Sequence, residues 1–345
     1  MRFASWRSAR SAVRYKHIVV VKRGPPENLR IEECDLREPA AREVRIRVLA
    51  CGVCQPDVQN RYGRSPFPPK VPYEPGSAIV GAVDGAGSGV RHALPGMKVA
   101  AWPSFGGYAE YLYLPESRLI PVPSSLDPAE VAPVVLNYVT AYQVLHRSAK
   151  VKAGDKVLII GASGGCGTAF LDLGRLAGLK MYGLASGRKS SILTQFGAIP
   201  IDYRREDFVE VMRRAEPQGL DFVFDGMGGD YIDRTLPLLR RGGVLVTYGN
   251  PLSLRGVLRL LARSLMVNLL PSGRKLKGYG AGAALFHRKP FLEDWAILFR
   301  LLEEGKIRPV ISDRIPLLEA AKANALLESG QVVGNLVLVA PDLIR

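Results

Sequence analysis

Two short stretches hold residue types that could do chemistry. The first is ACGVCQPD, positions 50–57, which sets Cys51 and Cys54 in a C-x-x-C frame. Two thiols at that spacing suit part of a tetrahedral zinc site or a redox dithiol. They suit equally a strand end with two small packed side chains. Cys34 and Cys166 complete the set of four, too few for a disulfide framework. The second stretch is VLIIGASGGCGTAFLDLGRLAG, where Gly161, Gly164 and Gly167 follow an apolar run and open an amphipathic one. Glycine at these points permits a tight turn, close backbone approach to a pyrophosphate, and close helix-to-strand packing. The N–H groups of the helix start then face the anion. The spacing is G-x-x-G-x-x-G rather than G-x-G-x-x-G, but strand, loop and helix follow in the order a dinucleotide site requires.

The next apolar run bears on which dinucleotide. It ends LASGRKSS, without the acid that holds an NAD ribose, and Arg188 and Lys189 follow directly. Two cations on a Ser-Gly turn suit a 2′-phosphate, so NADPH is the expected cofactor.

These groups must be positioned by two kinds of chain. From Ile18 to about Leu126 short β-branched runs (HIVVVK, VRIRVLA, AIVGAV) alternate with Pro/Gly-rich turns. At SLDPAEVAPVV a helix is expected, with Asp127 as its cap and Glu130 three residues on. Strands then alternate with helices (KVLIIGA, KMYGLAS, IPIDY, DFVFDGM, GVLVTYG), which means parallel βαβ units. After Gly280 come a long amphipathic helix, a shorter one and a closing strand, NLVLVAP. That tail is too small for a domain and is expected to return to the β-rich part.

The chain has 345 residues, 47 % hydrophobic and 23 % charged, which are globular values with room for two domains. No apolar run approaches the length of a membrane span. The net charge is +15 and no acid lies between Asp233 and Glu293, so anionic partners are favoured. Within that gap, LSLRGVLRLLARSLMVNLL sets Arg255, Arg259 and Arg263 on one side of a helix and leucines on the other. Packing on the chain as a lid, or against a partner subunit, is its expected use; contact of 252–270 with an anionic membrane is the alternative. No nucleic-acid-binding motif is visible, so no specific nucleic acid is expected. The start, MRFASWRSARSAVRYKH, is rich in Arg and Ser and fits a mitochondrial transit peptide or a plain basic extension. A cytoplasmic protein is expected, with a mitochondrial one as the alternative.

The segments ACGVCQPDVQNRYGRSP, VPYEPGSAIVGAVDGAGSGV, PGMKVAA, GGYAEYLYLP, APVVLNYVTAYQVLHRSAKVKAGDKVLIIGASGGCGTA, FDGMGGD and YGNP together resemble the medium-chain dehydrogenase/reductase superfamily. YEPG, GGYAEY and NYVTAYQ look like its quinone oxidoreductase branch, which includes the zeta-crystallins; the vesicle amine transport group is similar in its late Leu/Arg-rich segment. The resemblance implies an α/β fold: a GroES-like β-rich catalytic domain (17–127 and 282–345) and a Rossmann cofactor domain with a doubly wound parallel sheet (128–281), behind a basic extension (1–16). It also implies a homodimer.

Zinc members of that superfamily hold the metal with Cys, His, sometimes Glu, and a second Cys. Cys54 matches the first ligand, but Gly76-Ser77-Ala78 replaces the Gly-His-Glu segment and Leu136 replaces the second Cys. No zinc is therefore expected, and the zinc-type alcohol dehydrogenase stays as the alternative. The implied activity is NADPH-dependent hydride transfer to a quinone or conjugated enone. An NADPH-binding protein attached to membrane or RNA, with vestigial catalysis, is a further alternative. By position, Thr140 and Asn250 should lie near the nicotinamide, and Gly161, Ser163, Gly164, Gly165 and Gly167 should cradle the pyrophosphate. Arg188, Lys189 and Tyr203 should surround the 2′-phosphate, and Cys54, Asp57 and Tyr62 should line the substrate side. The family's substrate-facing Asn and Tyr correspond here to Cys54 and Gln59, which leaves the proton donor open between solvent and Tyr62.

Overall fold

The computed structural model describes residues 13–249, 251–280 and 287–344. Residues 1–12, Asn250 and the expected domain boundary at 281/282 lie outside it. Strand β1 (Arg14–Val20) pairs antiparallel with β2 (Leu29–Asp35), from Arg14↔Asp35 to Val20↔Leu29. Strand β1 thus covers the last three residues of the expected basic extension, because Arg14–Lys16 are held by β2 and by Glu110, which accepts from the Lys16 N–H at 2.6 Å.

Strand β3 (Glu43–Val53) leads into helix α1 (Gln55–Arg61), followed by β4 (Ala78–Ala86), β5 (Lys98–Ala101), β6 (Tyr111–Pro115) and β7 (Ile120–Pro121). Along β3 the alternation is strict at first: Val44, Ile46 and Val48 face in while Arg45 and Arg47 stay partly exposed. From Leu49 onward both faces are buried, one against the β-rich core and the other against a helical layer.

That layer runs from α2 (Pro128–Pro133) through a wider π-type stretch (Val134–Tyr138), α3 (Val139–Tyr142) and a second π stretch (Gln143–Ala149). Asp127 caps its start as the sequence suggests, accepting from the Ala129 N–H at 3.0 Å. π-type turns favour functional sites, and these carry Asn137 and bracket Thr140.

The parallel unit follows: β8 (Lys156–Ile160), α4 (Gly165–Leu176), β9 (Lys180–Ala185), α5 (Ser190–Gln195), β10 (Ile199–Asp202), α6 (Phe208–Ala215) and β11 (Leu220–Asp225). It closes with α7 (Tyr231–Thr235), β12 (Leu239–Thr247), α8 (Leu254–Leu269) and β13 (Lys275–Gly278). The sheet order is β10-β9-β8-β11-β12-β13, all parallel. Order reverses at β8, so a crevice opens beyond the ends of β8 and β11, where such sheets bind ligands.

The tail adds α9 (Arg288–Glu303), β14 (Ile311–Pro316), α10 (Ala320–Glu328) and β15 (Asn335–Val339). Its return is as expected: β15 lies antiparallel on β3, Leu336↔Val53 to Val339↔Ala50, in the sheet β14-β15-β3-β4-β5-β7. Where β15 begins, the two sheets meet. The Gly334 N–H donates to Ser163 O at 2.8 Å. Asn335, 4 % exposed, accepts from Asn137 Nδ2 at 2.6 Å and donates to Val310 O at 2.9 Å.

Segment 254–269 is a helix, but it does not form the expected lid: Val267 is buried and Leu260 packs beside it, while the other leucines stay exposed on the chain.

Replacing Asn335 by Ala leaves the half-buried Asn137 Nδ2 without its partner, a loss of about 1 kcal/mol. A melting temperature lowered by a few degrees with unchanged far-UV circular dichroism is the expected result. An unchanged melting temperature would show that the joint contributes nothing.

Candidate active site

A cleft of about 430 Å³ opens at that meeting point, lined from both sheets. One wall is the loop after β8. Gly161 sits at φ +76°, in the left-handed region that favours glycine. A Cβ on Gly167 would run into the carbonyl groups of Gly161 and Ala162, so helix α4 can approach the strand only without a side chain there. A Cβ on Gly165 would come within 2.6 Å of Asn137 Nδ2 and Asn335 Oδ1. Gly161, Gly164, Gly165 and Gly167 all line the cleft at the N-terminus of α4. Ser163 is buried but outside the lining, its carbonyl taken by Gly334.

The facing wall comes from the start of α1 and from the helical run: Cys54, Gln55, Gln59, Leu136, Asn137 and Thr140. Thr140 and Tyr279 both line the cleft, and the Tyr279 hydroxyl donates to Gln143 Oε1 at 2.8 Å. Gln59, at the position of the family's substrate-facing Tyr, lies in the lining, and its Oε1 is buried and unpaired among the described residues. An unpaired amide oxygen in a cleft suits a ligand that supplies the missing donor.

No charged side chain lines the cleft among the described residues. Burial pushes the Cys54 thiol and the Tyr248 and Tyr279 phenols well up from their ordinary values, and Cys166 up to about 12. All four are neutral near pH 7. Cys51 is raised by burial too, and it packs in the β-rich core while Cys54 packs in the helical one. Two thiols in separate cores do not form a redox pair. Around Cys54, the positions where zinc relatives carry ligands hold Ser77, Ala78 and Leu136, a hydroxyl and two hydrocarbon groups. Among the described residues no cluster of three or more His, Cys, Asp or Glu exists that could hold a metal. Cys34 lies on β2, outside the cleft, with Sγ 3.1 Å from His17 Nε2.

Two residues expected on the substrate side sit elsewhere. Asp57 is buried behind α1, where its Oδ2 accepts from the Cys54 N–H at 3.1 Å and from Tyr108 Oη at 3.2 Å. It holds the start of α1, and burial pushes its carboxyl up to about 6. Tyr62, past the end of α1, donates to Glu328 Oε2 at 2.9 Å and is not in the lining.

The 2′-phosphate candidates cluster at the ends of β9 and β10, away from the cleft lining. Arg188 and Tyr203 are exposed. Lys189 instead donates to Gly330 O at 2.7 Å and Val332 O at 2.8 Å, tying the turn to the tail. Burial and the charge of Arg204 lower its pKa, which puts a third cation beside the pair. An acid is present after all: Asp202 Oδ2 would lie 2.6 Å from a Cβ on Gly187, though Arg205 pairs with it at 3.7 Å and the Arg204 N–H bonds its other oxygen at 3.1 Å.

Because the folded carboxyl of Asp57 is raised from 3.8 to about 6, it contributes stability that is present below about pH 4 and lost as pH rises through 6. Asp57→Asn should flatten this fall by about 3 kcal/mol between about pH 4 and pH 7, read by urea unfolding. Equal slopes for the two proteins would contradict the assignment.

Residues 40–124 match the alcohol dehydrogenase GroES-like domain, and residues 196–338 match a domain described as zinc-binding dehydrogenase. The latter span contains no cysteine and a single histidine, His287. The quinone oxidoreductase of Sus scrofa is 31 % identical over 328 residues, 93 % of this chain and 97 % of its own. The synaptic vesicle membrane protein VAT-1 homolog of Rattus norvegicus is 30 % identical over 313 residues, 87 % of this chain and 78 % of its own. Among solved structures, the Escherichia coli quinone oxidoreductase complexed with NADPH superposes with a TM-score of 0.84 at 27 % identity, covering 94 % of this chain and 99 % of that one.

Proposed function

The chain belongs to the medium-chain dehydrogenase/reductase superfamily, in its zinc-free quinone-oxidoreductase-like branch, and on that premise we propose that it reduces a quinone or a conjugated enone with NADPH. The observation that carries the reading is a single cleft in which a glycine cradle at a helix N-terminus faces an uncharged slot. NADPH, when bound, supplies hydride from C4 of its nicotinamide. The backbone at Gly161, Gly164, Gly165 and Gly167 holds the pyrophosphate at the N-terminus of α4, where these four residues present no Cβ to the anion. Arg188 and Arg204 hold the 2′-phosphate, with Lys189 anchoring their turn to the tail. Thr140 and Tyr279 border the nicotinamide end.

Such a substrate needs little more than orientation, because conjugation already makes its carbonyl electrophilic. Cys54, Val53 and Leu136 exclude water from the slot, and Gln59, in the same lining, donates its side-chain Nε2–H to a substrate carbonyl oxygen. With no acid in the lining, the completing proton comes from solvent.

NADPH oxidation should be seen with 1,2-naphthoquinone or a simple enone, and more weakly with NADH. Arg188→Ala combined with Arg204→Ala should raise KM for NADPH roughly tenfold or more and leave KM for NADH unchanged, as loss of charge-assisted hydrogen bonds predicts. An unchanged NADPH/NADH ratio would remove the 2′-phosphate assignment. Gln59→Leu should lower kcat/KM for the acceptor roughly tenfold without moving KM for NADPH; equal kinetics would exclude Gln59 from the substrate site.

A further inference from the structure

Helix α8 is the largest feature that the proposed reaction leaves unused. Its inner face closes the sheet edge. Asn268 Oδ1 accepts from the Leu276 N–H at 2.9 Å, and Ser264 Oγ and Asn268 Nδ2 both donate to Leu276 O, at 2.6 and 3.2 Å. The outward-facing groups at the middle of edge strand β13 are therefore taken. Arg263, on the same inner side, pairs with Asp233.

The outer face has no cover. Leu254, Leu258, Leu261, Leu265 and Leu269 follow spacings of three and four and fall on one stripe, about 24 Å long. With Leu252, Met266 and Leu270 they are 50–76 % exposed. Eight such side chains present apolar surface on the order of 800 Å², above the roughly 300–600 Å² of the largest patch on a typical monomer.

Charge selects what would cover it. Arg255 and Arg259 are exposed along one flank of the stripe. Beyond the helix, Gly273 lies against the Arg241 side chain, at a hollow of about 280 Å³ lined by Arg213, Arg240, Arg241 and Arg274. Its acid, Glu216, is already neutralised by Lys156 at 2.5 Å and Lys180 at 2.7 Å. Arg240 pairs with Asp221, and Arg274 donates to Leu239 O and Pro237 O. Arg213 and Arg241 remain exposed with no acid paired to them among the described residues. A second copy laid antiparallel, leucine on leucine, would bring the arginine flanks of both helices to the same side. No acid lies between Asp233 and Glu293 to offset them. An anionic bilayer surface offers phosphates to the cations and an acyl boundary to the leucines.

We propose that α8 and the adjoining arginine hollow dock this protein on an anionic phospholipid surface, leucines at the acyl boundary and arginines at the headgroup phosphates. The helix lies on the surface and does not cross it; no described helix is long and apolar enough to span a membrane.

The test is co-sedimentation of the full chain with vesicles of phosphatidylcholine alone or containing phosphatidylserine. Binding to the anionic vesicles only, weakened by high salt, is expected. Leu258→Glu with Leu265→Glu should abolish it, and Arg255→Gln with Arg259→Gln should weaken it roughly tenfold or more. The melting temperature should stay unchanged in both, since all four side chains are exposed. Three results would overturn the proposal. One is no binding to either vesicle; another is binding that survives the leucine changes. The third is a wild-type dimer without lipid that the leucine changes convert to monomer, which would give the stripe to a second copy. None of these readouts depends on whether the chain reduces quinones.

Discussion

The hydrogen bond from the Gly334 N–H to Ser163 O is the contact on which the site depends. A phosphate-binding loop has to leave one side of its backbone bare, so whatever fixes it must hold it from behind. Here the tail does so. Gly334, at φ +74°, turns the chain where a Cβ would strike Val310 O, and the next residue, Asn335, bonds both Asn137 and Val310. Gly165 leaves room for that pair of amides. A loop on the parallel sheet, a π-type turn of the helical layer and the first residue of β15 are thereby fixed against one another, and the cleft is the space they leave.

The other wall depends on a buried carboxyl. Asp57 holds the start of α1 through the Cys54 N–H, and Tyr108 holds Asp57. That fixes the rotation of α1, so that Cys54 and Gln59 face the slot while Asp57 itself does not. The cost is a carboxyl kept away from water, and its raised pKa is the sign of that cost. A slot built this way carries no charge and, at the positions where zinc relatives hold metal, mostly hydrocarbon. It suits acceptors that are electrophilic without a Lewis acid, which is the reading proposed above.

Much of this was legible in the sequence because it obeys local rules. The glycine loop, the Asp127 cap and the alternation of strands and helices depend on neighbours a few residues apart. The reading of Cys54 as one ligand position without partners came instead from the family resemblance, which sets Gly76-Ser77-Ala78 and Leu136 against the other ligand positions. What escaped depends on residues far apart in the chain. Asn137 meets Asn335 across 198 positions, and Lys189 reaches carbonyls 141 and 143 positions on. The acid near the Ser186–Arg188 turn comes from the adjacent strand, not from the strand that ends there. Periodicity showed that 254–269 is amphipathic but not which face meets the sheet; the small and polar face does, because β13 needs its edge hydrogen-bonded.

The central claim is that hydride passes from NADPH to a conjugated carbonyl in a slot that holds no metal. It is tested most directly with C4-deuterated NADPH and cyclohex-2-enone in the presence of a metal chelator, followed by mass analysis of the ketone. The account predicts one deuterium on the β-carbon of the product from one of the two C4 epimers of the labelled cofactor, at a rate the chelator does not change. Unlabelled product from both epimers, or activity lost to the chelator and restored by zinc, would contradict it.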